Sequence, residues 1–146
     1  MAREPQWVEL QPLTTLYLKA AADGVTQPVE HYLNTQGFDV ADMIVEVFAV
    51  DGAASPYAEV RLETGPQASA RPLFEDVTAS PRTSVFQEAA STGTAINALG
   101  IYPLSTAWNR DPGGDAPLQR WLRWSVVAST TGVHLTFRIH GVLREQ

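Results

Sequence analysis

The residues best suited to chemistry in this chain are its three histidines, which could bind a metal or act as a general base. His134 and His140 lie on the same face of one predicted strand. At about 3.3 Å per residue they stand roughly 20 Å apart, too far to share one ion. His31 could approach either of them, but no Gly-x-Ser-x-Gly elbow supplies a nucleophile. We therefore predict neither a histidine-based zinc site nor a Ser–His–Asp triad.

The carboxylates offer two further possibilities, a glycosidase pair and a cation site. Glu59 and Glu63 lie about 13 Å apart along one predicted strand, which is typical of a solvated strand face. Asn109, Asp111 and Asp115 place three oxygen-bearing side chains in a Gly- and Pro-containing loop that could wrap calcium. Any loop uses the same residue types, and the bidentate Glu of an EF-hand is missing. We predict no enzyme and no cofactor, and leave calcium as a candidate ligand of this loop.

The most unusual segment is Arg120–Trp124, with the sequence Arg-Trp-Leu-Arg-Trp. Strand alternation places Trp124 towards the core and directs Trp121 and Arg123 to the opposite face. Aromatic residues beside arginines anchor many protein interfaces, and they also stack on sugars or bases. Core filling, a protein interface, and carbohydrate stacking by Trp121 with Trp108 therefore remain open.

Charge is distributed unevenly over a chain whose formal net charge is −6. Residues 1–100 contain five basic and thirteen acidic residues, whereas residues 101–146 contain five basic and three acidic ones. An acidic surface repels phosphates and anionic headgroups, so we expect neither nucleic acid nor membrane as a partner. A head-to-tail contact between the unlike ends, or ordinary surface scatter, would explain the asymmetry.

Two central segments have the patterns of strands. Tyr57–Thr64 alternates apolar and charged residues with period two, which predicts a half-buried strand. Met43–Val50 is apolar on both faces except for Glu46, which predicts a central strand covered on both sides. The turn residues Asp51-Gly52 and Ser55-Pro56 between them predict a hairpin with a longer loop.

The C-terminal region predicts a second, longer hairpin in which Leu118–Ser129 pairs with Val133–Leu143. The connection Thr130-Thr131-Gly132 ends in glycine, as expected where a short turn needs a left-handed residue. The alternation assigns Val133, Leu135, Phe137 and Ile139 to the core face, and His134, Thr136, Arg138 and His140 to an exposed, basic face.

Short strands separated by ten Pro and ten Gly leave little room for helix. Together with the absence of any βαβ rhythm, they predict an all-β, antiparallel β-sandwich of jelly-roll type, with about eight strands and little or no helix. We assign residues 1–12 to an N-terminal arm or first edge strand, and residues 13–146 to one sandwich domain. Weaker strands are predicted at Trp7–Leu10, Leu16–Ala21, Val29–Leu33, Leu73–Val77 and Ile101–Leu104, and a helical turn at Ser84–Ala90.

Four segments together resemble small virion accessory proteins of tailed bacteriophages: Phe38–Asp42, Tyr57–Thr64, Pro117–Trp124 and Thr136–Gly141. Proteins of this kind resemble jelly-roll or galactose-binding-like sandwiches that decorate capsids or serve in tails. The resemblance implies a structural protein of the virion, with capsid decoration or stabilisation as its first expected role. It implies no active site.

We therefore expect the major capsid protein and further copies of the chain itself as partners. The resemblance implies location in the virion. Residues Met1–Trp7 lack the basic region and apolar run of a signal peptide, so we expect synthesis in the host cytoplasm. The alternative is a carbohydrate-binding or adhesion module on a jelly-roll fold. The candidate interface residues are Trp7, Trp121, Arg123, His134, Arg138 and His140.

Overall fold

A computed structural model describes residues 3–19, 24–52, 58–65, 87–89, 94–106, 118–128 and 132–145. These ranges are almost entirely strand, with one 3-10 turn at Val29–His31. They contain no helix long and apolar enough to cross a bilayer. The strands are β1 (Gln6–Leu18), β2 (Gly24–Thr26), β3 (Leu33–Asn34), β4 (Val40–Gly52), β5 (Ala58–Gly65), β6 (Gln87–Glu88), β7 (Thr94–Ile96), β8 (Gly100–Ser105), β9 (Trp121–Ala128) and β10 (Val133–Arg144).

The strands form two antiparallel sheets, one ordered β1-β10-β4-β8 and the other built around β9 and β5. In the second sheet β2 and β3 follow one another along β9, and β6 and β7 follow one another along β5. Each sheet therefore has four strand positions. If the eight positions are numbered in the order in which the chain passes through them, the first sheet has the order 1-8-3-6 and the second has the order 2-7-4-5. This is the nested antiparallel pairing of a jelly roll. The predicted antiparallel sandwich of jelly-roll type is confirmed.

Period-two alternation positions the core between the two sheets. On β5 the side chains of Ala58, Val60 and Leu62 are fully buried, while the charged residues between them are partly exposed. The predicted core face of β10 is likewise buried from Val133 to Ile139. Because each strand presents an apolar side chain at every second residue, the sheets bury these faces against one another.

The prediction of a C-terminal hairpin is wrong. β9 pairs with β5, β2 and β3, whereas β10 pairs with β1 and β4, so the two strands belong to different sheets. They face each other through side chains, with Trp124 and Phe137 in edge-to-face contact at 5.4 Å between ring centroids. Gly132 does adopt the predicted left-handed conformation, with φ of 69°. A hairpin and a crossing between sheets have the same strand-turn-strand pattern in the sequence. The crossing forms here because it buries the apolar faces of β9 and β10 against one another.

The predicted hairpin between Met43–Val50 and Tyr57–Thr64 is wrong for the same reason, since β4 and β5 lie in different sheets. β4 is a central strand, as predicted, because it pairs with both β10 and β8. The described residues do not cover both of its faces, however. Ile44 is partly exposed and Phe48 is 51% exposed on the outward side.

The weaker predictions have mixed outcomes. Trp7–Leu10 and the first three residues of the predicted Leu16–Ala21 belong to one strand, β1, which ends at Leu18 and whose register with β10 shifts twice between Glu9 and Thr14. Ala20 and Ala21 lie outside the described residues. Ile101–Leu104 lies within β8, as predicted. Val29–Leu33 is mainly the 3-10 turn that follows Pro28, rather than a strand. The predicted helical turn at Ser84–Ala90 contains the short strand β6 among its described residues. The predicted strand Leu73–Val77 lies outside the described residues.

A buried glutamine ties the two sheets together at their β1–β2 edge. The Gln27 side-chain amide donates hydrogen bonds to the carbonyl oxygens of Leu10 (2.6 Å) and His31 (3.0 Å). Its side-chain oxygen accepts the backbone N–H of Trp124 at 3.4 Å. Leu10 is skipped in the register of β1 with β10, so Gln27 satisfies a carbonyl that the shift displaces. Gln27 is 1% exposed, which makes each of these bonds costly to lose.

We predict that Gln27→Met lowers the free energy of unfolding by about 2–4 kcal/mol, since buried carbonyl groups lose their donors while side-chain volume is kept. Equilibrium urea denaturation measures the change. Gln36→Met is the control, because the Gln36 side chain is exposed. Equal stability of the two variants would contradict the assigned role of Gln27.

Gly141 of β10 is required by the close approach of β4. A Cβ at this position would lie 2.1 Å from the carbonyl oxygen of Asp42 and 2.7 Å from the Cα of Met43. Both atoms belong to the backbone of the neighbouring strand, so neither can move without displacing β4.

We predict that Gly141→Ala destabilises the fold by about 2 kcal/mol or more, because the added methyl group pushes β4 away from β10. The matched control is Gly24→Ala, whose Cβ would meet its nearest neighbour at an ordinary 3.6 Å. That variant should keep or slightly increase stability through reduced unfolded-chain entropy. Thermal unfolding of both proteins tests the difference, and a Gly141→Ala melting temperature equal to that of Gly24→Ala would refute it.

Candidate interaction surface

The side of the β1-β10-β4-β8 sheet turned away from the core is called the outer face below. Directly paired residues of antiparallel strands share a face, and the apolar residues between them are buried in the core or packed against it. The outer face consists of Trp7, Glu9, Thr15 and Tyr17 from β1, His134, Thr136, Arg138, His140, Val142 and Arg144 from β10, Asp42, Ile44, Glu46, Ala49, Asp51 and the exposed residue Phe48 at the register shift of β4, and Ile101, Pro103 and Ser105 from β8.

Charge on the outer face is segregated by strand. β10 contributes two arginines and two histidines and contains no acidic residue. The neighbouring strand β4 contributes Asp42, Glu46 and Asp51 and contains no basic residue. Glu9 of β1 stands directly opposite His140 on the other side of β10. A basic central strand therefore runs between acidic neighbours.

Glu46 lies at the centre of the outer face and binds two basic side chains. Its carboxylate accepts hydrogen bonds from Arg138 Nε at 2.7 Å and from His140 Nε2 at 2.9 Å. A carboxylate only accepts, so His140 Nε2 is the donor, and the buried Nδ1 has no hydrogen-bond partner among the described residues. The bond from Arg138, followed by that from His140, lowers the pKa of Glu46.

A second ion pair lies towards one end of the outer face. Asp42 accepts hydrogen bonds from Arg144 Nε and from the Ser105 hydroxyl, the latter at 2.7 Å. Burial raises the pKa of Asp42, but the hydrogen bonds from Arg144 and Ser105 outweigh it, so that the net shift is downward. The carboxylates of Asp42 and Glu46, both on β4, are therefore held ionised by neighbours on adjacent strands.

Large apolar side chains surround this charged centre. Trp7, Tyr17, Phe48 and Ile101 are 65%, 52%, 51% and 66% exposed. Trp7 packs its ring against His140 with 5.0 Å between centroids, and Tyr17 stacks on His134 at 4.3 Å. Four exposed apolar side chains on one sheet face are a feature of surfaces that contact other proteins.

The structure brings four of the six predicted interface residues together. Trp7, His134, Arg138 and His140 all belong to the outer face. His134 is exposed and Arg138 partly exposed, as predicted, but His140 is only 8% exposed, and the basic side chains of β10 stand beside acids of β1 and β4. Pairing across strands, which the sequence of β10 alone does not contain, neutralises the charge.

The remaining two predicted interface residues, Trp121 and Arg123, lie on the other sheet. Arg123 is 9% exposed, and it donates to Glu63 and to the Tyr32 hydroxyl, both at 2.8 Å. These buried contacts give Arg123 a structural role rather than the expected exposed one. Trp121 is half-buried, and the Arg120 guanidinium lies over its ring at 5.6 Å, which reduces the ring area open to a sugar.

Several predicted residues lie outside the described residues, namely Trp108 of the carbohydrate-stacking hypothesis and Asn109, Asp111 and Asp115 of the calcium hypothesis. Within the described ranges, no three His, Asp or Glu side chains come together as a group that could hold a metal ion.

Four further members of the surface were not predicted from the sequence, namely Tyr17, Phe48, Ile101 and Glu46. One signal could have found two of them, since Met43–Val50 is apolar on the side that carries Glu46 as well as on the core side. Ile101 becomes a neighbour of this strand, and Tyr17 a neighbour of β10, only through the sheet order, which pairs β8 with β4 and β1 with β10.

No protein-family model matches the chain, and no curated protein matches it significantly.

We predict that Glu46→Gln makes stability less dependent on pH. Because the pKa of Glu46 is lowered in the folded protein, its contribution is complete above the ordinary value of 4.5 and is lost as pH falls below it. The melting temperature of the variant should therefore lie below that of the wild type at pH 7 and approach it below pH 4. Glu30→Gln, which alters an exposed carboxylate of the 3-10 turn, serves as control. A difference that stays constant between pH 7 and pH 3 would contradict the prediction.

Proposed function

We propose that this chain is a structural virion protein of a tailed bacteriophage, most directly a capsid decoration or stabilisation protein that acts by protein–protein assembly. Its proposed partners are the major capsid protein and further copies of the chain. The single observation that carries the proposal is the outer face, a broad sheet surface on which exposed apolar side chains surround mutually paired charges.

The composition of this surface favours a protein partner. Binding to nucleic acid or to an anionic membrane requires unpaired positive charge, but the arginines of the outer face are bound to Glu46 and Asp42. Exposed aromatic and aliphatic side chains supply the burial energy of a protein interface, and charges that already have partners cost less to desolvate.

The sandwich itself suits a role as a rigid building block. Its sheets are tied by the Trp124–Phe137 contact and by Gln27, so the outer face is presented on a fixed framework. This rigidity supports binding without a loss of backbone entropy, as expected of a subunit that stabilises a lattice. The resemblance to tailed-phage accessory proteins supports the same function.

The protein composition of purified particles tests the proposal. Particles released from the producing cells are purified on a caesium chloride gradient, and the chain is quantified by mass spectrometry against the major capsid protein. We expect the chain in the particle band at a copy number in simple ratio to that protein. Its presence in the lysate and absence from the band would refute the proposal.

Particles prepared without the chain provide the matched binding test. Purified chain added to them should co-sediment and saturate at the same copy number, whereas addition to particles that already contain it should add none. Electron cryomicroscopy of the saturated particles then assigns the bound copies to head or tail. Density restricted to the tail would refute capsid decoration while retaining a structural role in the virion.

A further inference from the structure

We infer that two copies of the chain associate through their outer faces, about a twofold axis that runs parallel to the strands between β10 and β4. The inference deepens the proposed function and rests on it for the expectation that the chain assembles. It names the surface, the occupant and the symmetry of one of the proposed contacts.

The edges of the β1-β10-β4-β8 sheet are poorly suited to association by strand addition. The edge strand β1 contains Pro12 within its second register shift, between Gln11 and Thr14, and the other edge strand, β8, contains Pro103. Proline cannot donate to a new ladder, and register shifts bend a strand away from a straight partner. Association through this sheet must therefore use its face.

The arrangement of charge on the face is self-complementary. A twofold contact requires the same surface on both copies, so that position i meets j and j meets i. Since β10 and β4 are the two central strands, an axis between them places the basic strand of each copy over the acidic strand of the other. Arg138 and Glu46 are directly paired within the sheet, so they lie at the same level along the axis. Arg138 of each copy therefore lies over Glu46 of the other copy.

The same axis covers exposed apolar side chains around the paired charges. It places β1 of one copy over β8 of the other, so Ile101 faces β1 and Trp7 lies level with Ser105 of the second copy. Phe48 belongs to β4 and therefore lies over β10 of the second copy. The charged centre is then accompanied by apolar side chains that exclude water from it.

The area of the outer face is close to that of a standard protein interface. Four strands about 4.8 Å apart and roughly ten residues long at about 3.3 Å per residue cover about 600–700 Å² on each copy. Standard protein interfaces bury about 800 Å² per partner. β4 provides a further argument, because its two apolar faces are typical of a strand covered on both sides, while Phe48 is left 51% exposed in the single chain.

The sharpest test is charge complementation between two variants, Glu46→Lys and Arg138→Glu. In either variant alone, the proposed axis opposes like charges on the two central strands, so each should be monomeric by sedimentation velocity. Mixed in equal amounts, they restore opposite charges across the interface, and a heterodimer should form. A merely structural role of the Glu46–Arg138 pair would not produce association on mixing.

A second pair of variants keeps the test valid if either charge reversal fails to fold. Ile101→Lys places a charge in the proposed interface, whereas Val29→Lys changes an exposed apolar side chain of the 3-10 turn, outside the β1-β10-β4-β8 sheet. We expect Ile101→Lys to weaken dimerisation by about tenfold or more, and Val29→Lys to leave it unchanged.

The outcomes separate this inference from the proposed function. Wild-type chain that stays monomeric up to several hundred micromolar, dimers unaffected by Ile101→Lys, or folded charge variants that do not associate on mixing would each overturn the inference, even if the chain is found in particles. A dimer disrupted by Ile101→Lys and restored by charge complementation supports it, even if the chain is absent from particles.

Discussion

The contact between Trp124 and Phe137 is the interaction on which the rest of the structure depends. The two rings meet edge to face at 90°, each nearly or fully buried, and they come from the last two strands of the chain. Because β9 and β10 lie in different sheets, their contact joins the layers. Each strand then serves as the template for its own sheet, since β9 pairs with β5, β2 and β3 while β10 pairs with β1 and β4.

Closure of the sandwich depends on backbone and polar contacts as well as on apolar burial. Gln27 connects the β1 edge to β9 where the register of β1 shifts, and Gly141 lets β10 and β4 approach closely. Neither residue belongs to the outer face, yet both fix the strands that carry it. The relative positions of Trp7 on β1, Arg138 on β10 and Glu46 on β4 follow from these constraints.

The outer face combines two properties that rarely occur together on a monomer's solvent-facing sheet. Its charges are segregated by strand but paired across strands, and its exposed apolar side chains stand on both flanks. Pairing across strands lowers the cost of removing the charges from water, and the apolar flanks provide the gain. Proline at both edges of the sheet disfavours the addition of a further strand there.

The sequence by itself determined the all-β sandwich, the buried faces of β5 and β10, the left-handed Gly132 and four members of the outer face, because period-two alternation and turn chemistry are local properties. Only the tertiary structure decided which strands are neighbours. Hairpins and crossings between sheets have the same local pattern, so the predicted pairings of β9 with β10 and of β4 with β5 were wrong. The same limit hid the ion pairs of Glu46 and the burial of Arg123, since their partners are 60 to 94 residues away in sequence. Burial of every apolar face against the opposite sheet is a property of the whole chain, and it selected one arrangement.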